Sequence, residues 1–217
     1  MHIERLSRAH DLSQFHCGVK TLDSWLRFHA LENHRRRLTT TYLLVDEAGD
    51  DAGAGTKAGA GTKAGAGDDA GAGTKAGAGA DTRAGTKAGA GADTRAVAGY
   101  FSLTMGGVRP DQLPRRYSRG LPDFSIGMAL IARLAIDQHF QGNGYGRDLL
   151  VYAIELGAKA SAIAAARFIA VGPIDESARN FYSHFGFVDV VGDPSRRMYL
   201  RLDHALEAMT ASIPQEE

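Results

Sequence analysis

Between Gly49 and Arg95 the chain uses only Gly, Ala, Thr, Asp, Lys and Arg: 47 residues in imperfect copies of Ala-Gly-Ala-Gly-Thr-Lys, holding 14 of the 27 glycines. Apart from its charged groups it has no side chain larger than threonine. Such a segment cannot bury enough apolar surface to offset its ordering entropy, and it reads as disordered. Silk-like stacking is opposed by a charge at about every sixth position, and a six-residue unit is too short for solenoid repeats of roughly 20–50 residues. The fold must therefore come from residues 1–48 and 96–217, read as one domain, with 49–95 as an insertion. Lengthening a turn from about 4 residues to this length costs roughly 2 kcal/mol of closure entropy. A coil of this kind spans on the order of 35–40 Å, so it can leave and rejoin neighbouring strand ends. An inert expansion is the plain reading; a tether or shield beside a site is the functional one.

The flanks carry an ordered mixed pattern. Asp11 and Gln14 resemble a capping box opening a short helix through Phe15, ended near Gly18. Leu22, Trp25, Leu26 and His29 fall at helical spacing, predicting a second helix to about Arg37. Thr39–Asp46 and Val97–Val108 read as paired strands, which puts the insertion in their hairpin. The three prolines of Arg109–Asp123 predict a loop, and Ile126–Asp137 a buried strand. A helix runs from about Gly146 to Ala162, and Arg167–Ile174 is a further strand. Asp175 caps a helix lined by Ala178, Phe181, Tyr182 and Phe185 and ended by Gly186. Phe187–Val191 and Arg196–Asp203 complete an α/β fold with one sheet.

Several classes of protein are excluded early. One Cys cannot form an intramolecular disulfide, and 25 basic against 25 acidic side chains argue against indiscriminate polyanion binding. Residues 1–11 hold no continuous apolar stretch, so no secretory signal is expected. Arg133 and Arg167 cut the two most apolar segments well short of the ~18 residues of a membrane helix. The expectation is a soluble, cytoplasmic protein that does not engage membranes. The eight His residues show no paired metal spacing, so no metal site is expected.

The segment Gln141-Gly142-Asn143-Gly144-Tyr145-Gly146 lies between a buried strand and an amphipathic helix. Glycines let the backbone approach a bulky anion, and the free amides and dipole of the helix start attract it. Arg147 can add a charge-assisted contact. The loop is not a P-loop, because no Gly-Lys-Ser/Thr follows, and it lacks the three-glycine dinucleotide spacing. Read alone, it could equally be a tight strand-to-helix turn.

Together with Arg133-Leu134-Ala135-Ile136-Asp137 before it and Ala178–Phe187 (ARNFYSHFGF) after it, this loop resembles the GCN5-related N-acetyltransferase (GNAT) family. That fold is a mixed central sheet flanked by helices, and the loop is similar to its Gln/Arg-x-x-Gly-x-Gly/Ala pyrophosphate motif for acetyl-CoA. Phe15-His16-Cys17-Gly18 with Leu22-Asp23-Ser24-Trp25-Leu26 is similar to the toxins of type II toxin–antitoxin systems that acetylate the α-amino group of aminoacyl-tRNA and block translation. The insertion departs from that pattern. The resemblance implies that Leu134, Ala135 and Ile136 pair their backbone with the pantetheine arm. It implies that Gln141, Gly142, Asn143, Gly144, Tyr145, Gly146 and Arg147 cradle the pyrophosphate, and that Asn180 and Phe181 flank the arm. Tyr182 becomes the general acid, where position alone reads as a core aromatic. The co-substrate is acetyl-CoA; the implied partners are aminoacyl-tRNA, a cognate antitoxin of ribbon-helix-helix type and a second copy in a homodimer. A GNAT enzyme acting on a small amine or a protein amino terminus, and a non-catalytic CoA-binding protein, are the alternatives.

That chemistry needs little from the protein. An α-amino group with a pKa of about 7.7–8.0 is partly neutral at pH 7, so no strong base is required. A phenol with a pKa near 10 can protonate the leaving thiolate. Arg35, Arg36, Arg37 and Arg115, Arg116, Arg119 form basic clusters suited to tRNA phosphates or to plain solvation, with Arg196-Arg197 a third. Cys17 reads as a buried structural thiol, and His184 as exposed.

Overall fold

Alternating apolar residues in the two flanks build a single sheet. The computed structural model of the chain describes residues 1–46, 95–189 and 196–203. The low-complexity segment, except Arg95, lies outside the described residues, as do Val190 and Val191 of the strand expected to start at Phe187. The elements in chain order are β1 (His2–Arg5), α1 (Lys20–Phe28), α2 (Ala30–Arg35), β2 (Thr40–Asp46), β3 (Ala96–Val108), α3 (Arg115–Ser118), β4 (Ile126–Ile136), α4 (Tyr145–Ala164), β5 (Ala166–Val171), α5 (Glu176–His184), β6 (Val188–Asp189) and β7 (Met198–Arg201). The sheet order is β1-β2-β3-β4-β5-β7-β6, and β4–β5 is its one parallel pair. Asp46 and Ala96 are register partners, so β2 and β3 bracket the insertion across a single antiparallel ladder.

Because side chains alternate along each strand, the sheet feeds two cores. On one face, Tyr42, Leu44, Phe101, Ile131 and Ile169 pack under α4 through Leu149, Leu150, Ala153 and Ile154. Burying each of those larger aliphatic side chains stabilises the fold by about 1.5–3 kcal/mol. On the other face, Leu43, Val45 and Tyr100 meet Trp25, Leu26 and Ala30. Trp25 stacks on Tyr100 with ring centroids 5.9 Å apart, and Phe15 meets the same ring edge-on at 5.4 Å.

Four expectations need correction. No helix forms at residues 11–15: the Asp11 carboxylate accepts the Ser13 N–H at 2.9 Å in a local turn, the same side-chain signature without a following apolar stripe. The helix expected to reach Arg37 breaks at His29 (φ −122°, ψ −27°), dividing α1 from α2. The loop 109–123 contains α3, and its Leu113 and Tyr117 cover Phe168 and Tyr199 in a third apolar cluster. β5 stops at Val171, three residues before the expected Ile174, because Pro173 has no N–H to extend a ladder. β1, not foreseen, pairs with β2 as an edge strand.

Candidate active site

The site begins where β4 outlives its neighbour. The β4–β5 ladder ends at Ile131↔Val171, while β4 runs on to Ile136. Ala132 is the extra residue of a bulge, since Ser102 pairs with Arg133 and Leu103 with Ile131. Asp137 donates its N–H to the Ala98 carbonyl at 2.9 Å. By the two-residue period, Ala135 also turns its backbone polar groups to β3, and Leu134 and Ile136 turn theirs to the open side. Leu134 and the Ile136 N–H thus offer the open edge expected of the pantetheine strand; the Ile136 carbonyl is taken by the Gln141 side chain. Ala135 offers no such edge; its side chain is buried beneath α1.

Beyond β4 the chain turns through the glycine loop. Gly142 (φ 81°) and Gly144 (φ 85°) are left-handed, and a Cβ at either would meet nothing within 4 Å, so their backbone faces open space. Gly144 is the N-cap of the 20-residue α4, whose free amides and dipole start there. Asn143 Nδ2 donates to the Phe140 and Gln141 carbonyls at 3.2 and 3.3 Å and braces the turn. Gln141 spends its side-chain N–H groups on the Cys17 and Ile136 carbonyls (3.1 and 2.9 Å), so its side chain fastens the loop and only its backbone is left for an anion. Tyr145 packs edge-on against Phe140, and Arg147 is exposed in the first turn of α4. Open strand edge, glycine turn and helix start together fit the arm and diphosphate of a coenzyme A thioester.

The Phe15–Gly18 segment, notable in sequence for its motif, is what holds this arrangement. The Asp137 carboxylate accepts the His16 N–H at 2.7 Å, the His139 N–H at 2.9 Å and His139 Nδ1 at 2.8 Å. Burial works to raise its pKa, but these hydrogen bonds prevail and hold it below the ordinary carboxylate value. Asp23 does the same for Cys17 N–H (2.8 Å) and His16 Nδ1 (2.7 Å), with the same net lowering against burial. Burial, with Asp23 adding to it, pushes the Cys17 thiol up to about 12, as expected of an inert structural cysteine. Sequence reasoning assigned no role to Asp23 or Asp137. Their one signal was membership of the quoted motifs.

A cavity of about 70 Å³ opens in the gap between β4 and β5, lined by Leu22, Ile131, Ala132, Arg133, Leu134, Gly172, Ile174, Ala178 and Tyr182. That is room for an acetyl group, at roughly 30 Å³ per water. Tyr182 is buried, its hydroxyl makes no hydrogen bond among the described residues, and burial pushes its pKa up to about 12. Its ring is wedged between Phe181 and Phe187. Phe181 also lies beside Gly146, tying α5 to the start of α4, while Asn180 and His184 are exposed. Among the described residues, Arg133 and Tyr182 are the only ionisable residues of the lining, which includes no Asp, Glu or His.

The structure does not bring the arginine clusters to this gap. Arg35, Arg36 and Arg37 precede β2, whose first residue Thr40 pairs with Leu103 two strands away from the gap, and Arg115, Arg116 and Arg119 follow β3 at the sheet end remote from the glycine loop. At about 3.3 Å per residue, the end of β3 lies roughly 15–20 Å from the bulge. All six are exposed, and Arg35 pairs with Glu32 at 3.7 Å. Arg196 and Arg197 instead precede Met198, which is opposite Val171 at the mouth of the gap. A wider depression, about 520 Å³ between α4 and the start of β2, contains none of the glycine-loop, β4-edge or α5 residues.

Residues 105–189, which hold the gap, the loop and Tyr182, match the acetyltransferase (GNAT) domain family. The chain carries a GNAT acetyltransferase domain. Over 199 residues this GNAT chain is 27% identical to a tRNA-acetylating toxin of Mycobacterium tuberculosis, covering 92% of this chain and 91% of that protein. Its fold superposes on AtaT complexed with acetyl-methionyl-tRNAfMet (TM-score 0.70, 22% identity, 96% and 98% of the two chains). It also superposes on a tyrosine-to-phenylalanine variant of KacT (TM-score 0.69, 19% identity, 95% and 98%). In another solved structure AtaT is bound to the C-terminus of the antitoxin AtaR. Among the described residues no group of His, Cys, Asp and Glu could hold a metal ion, and no helix is long and apolar enough to cross a membrane.

Proposed function

We propose that this GNAT enzyme transfers the acetyl group of acetyl-CoA to the α-amino group of aminoacyl-tRNA, acting as a toxin that blocks translation. The observation that carries the chemistry is the cavity: a largely apolar gap whose described lining includes one phenol, one arginine and no carboxylate or imidazole, beside an open strand edge and an anion-binding helix start. In that site the diphosphate lies against the turn at Gly142–Gly146, with Arg147 alongside, and the arm pairs with Leu134 and Ile136. A free amide on this edge faces the thioester oxygen and stabilises the charge that develops there. Tyr182 stays protonated across the physiological range and donates to the departing sulfur. With no base in the lining, the acceptor nitrogen must arrive neutral, which suits an α-amine.

The acceptor is supported by the likeness, along nearly the whole chain, to a tRNA-acetylating toxin. The cluster Arg115, Arg116 and Arg119 adds to it: beyond the end of β3, roughly 15–20 Å along the sheet from the bulge, it suits an acceptor whose phosphates extend that far. We place the enzyme in the cytoplasm, where aminoacyl-tRNA is found, held in check by an antitoxin as AtaT is bound by AtaR, and for that antitoxin we propose a ribbon-helix-helix protein encoded beside it. We further propose a homodimer, whose two basic surfaces serve one tRNA. Incubation with labelled acetyl-CoA and either aminoacylated or deacylated tRNA tests the reading. Label should appear on the aminoacyl group alone; label confined to free amines or peptides refutes it.

A further inference from the structure

We propose that Arg133 is a specificity-determining residue that admits the acceptor only as a neutral amine, so that the site takes α-amines and turns away alkylammonium groups such as lysine side chains and polyamines. This deepens the reading above and rests on it.

Arg133 lines the cavity on the α1 side of the sheet, and Tyr182 lines it on the α5 side. Its guanidinium lies over the Trp25 ring, 4.1 Å from the centroid, and forms no ion pair or hydrogen bond among the described residues. Trp25 is itself buried and stacked on Tyr100, so the cation is held in place by an aromatic face, not by a carboxylate. Among the described residues, no carboxylate pairs with it from the elements around it. From β3, the Tyr100 hydroxyl donates to the Leu22 carbonyl at 3.0 Å. From α1, Leu22 enters the cavity, and the neighbouring Asp23 carboxylate is committed to Cys17 and His16. The β5–α5 loop presents Gly172 and Ile174, and α5 presents Ala178 and Tyr182. Burial lowers the Arg133 pKa, with Tyr100 working against that, and a guanidinium still remains charged at neutral pH.

An incoming ammonium therefore meets apolar walls and a like charge, and both favour its neutral form. At pH 7 roughly a tenth of an α-amine is neutral, against less than one part in a thousand of an alkylamine with a pKa near 10.4. A full positive charge about 7 Å away, at an effective dielectric of 20–40, lowers an amine pKa by about one further unit. The neutral nitrogen then adds to the thioester carbonyl carbon, the C–N bond forming as the C–S bond breaks. Sulfur takes the Tyr182 proton, and the proton shed by nitrogen restores Tyr182, leaving amide and thiol.

The test measures kcat at saturating aminoacyl-tRNA from pH 5.5 to 8, with acetyl-CoA binding as the check that each variant retains its site. Arg133→Met should move the acid limb of kcat up by about one pH unit, and Arg133→Lys should leave it in place. At pH 7, Arg133→Glu should raise spermidine acetylation relative to aminoacyl-tRNA acetylation at least tenfold. A purely structural arginine would change the height of the profile and not its midpoint. An unmoved limb in Arg133→Met, or a moved one in Arg133→Lys that still binds acetyl-CoA, overturns the proposal while wild-type acetylation of aminoacyl-tRNA stands. If the wild type labels no aminoacyl-tRNA, the functional reading itself fails, whatever the variants do.

Discussion

Asp137→Asn probes how the glycine loop is held. The carboxylate is 4% exposed and accepts three hydrogen bonds, from His16 N–H, His139 N–H and His139 Nδ1. Hydrogen bonds to a charged group contribute about 1.5–3 kcal/mol each. An amide keeps one acceptor oxygen but turns an NH2 toward a backbone N–H, so at least one bond is lost and one donor is left facing a donor. The expected cost is about 2–4 kcal/mol, a fall in Tm of roughly 5–10 °C for a chain of this size. The sign of the pH dependence follows from the lowered pKa of Asp137 in the fold. Its stabilisation is complete above the unfolded value near 3.9 and is lost as pH falls through the depressed folded value. The Tm gap between wild type and variant should therefore be full at pH 6–7 and narrow progressively as pH falls below about 4. Because residues 138–147 follow directly, KM for acetyl-CoA should also rise several-fold. Thermal unfolding followed from pH 7 downward decides it: equal Tm values at pH 7, or a gap that does not narrow as pH falls below about 4, refute the reasoning.

Tyr182→Phe should lower kcat about 10²–10⁴-fold with Tm nearly unchanged, since the hydroxyl has no hydrogen bond and the ring contacts to Phe181 and Phe187 remain; a parallel fall in Tm would mean a structural role. With the Tyr182 pKa raised by burial to about 12, the wild-type rate should show no alkaline decline from this group below about pH 10. Gly144→Ala places a Cβ at φ 85°, a strain of about 1–2 kcal/mol, without touching any protein atom. Acetyl-CoA affinity measured by calorimetry should fall at least tenfold, and unchanged affinity would separate the loop from the diphosphate. Replacing residues 47–94 by a short turn should leave Tm and acetyl transfer intact, because Asp46 and Ala96 already stand opposite each other; loss of either would give the insertion a structural part.

What could be read from the sequence depended on how local its cause was. The glycine loop, α4 and the Asp175 cap were legible because their determinants lie within a few residues: the Asp175 carboxylate takes the Ala178 N–H at 2.8 Å, and Gly186 ends α5 at φ 81°. β1 was missed because a four-residue edge strand, with no residue fully buried, carries almost no pattern. The bond from His16 to Asp137 spans 121 positions, and nothing near either residue announces it. Gln141 shows the limit of a motif: its position was legible, whereas its side-chain partners, Cys17 and Ile136, follow only from the packing of the amino-terminal segment onto the end of β4.

The gap follows from a mismatch in strand length. β4 has 11 residues and its parallel neighbour β5 has 6, and Gly172-Pro173 prevents β5 from following. An interior strand is thus left half unpaired, a condition that in a resting sheet invites aggregation or costs buried hydrogen bonds. Here the open groups are those of Leu134 and the Ile136 N–H, directly between the helix start that attracts a diphosphate and the bulge that borders the cavity. An extended ligand with amide groups along its length satisfies the edge and delivers its far end to Tyr182 in one placement. The same proline that ends β5 therefore opens the site, and a Pro173 substitution that let the ladder extend would close it from within.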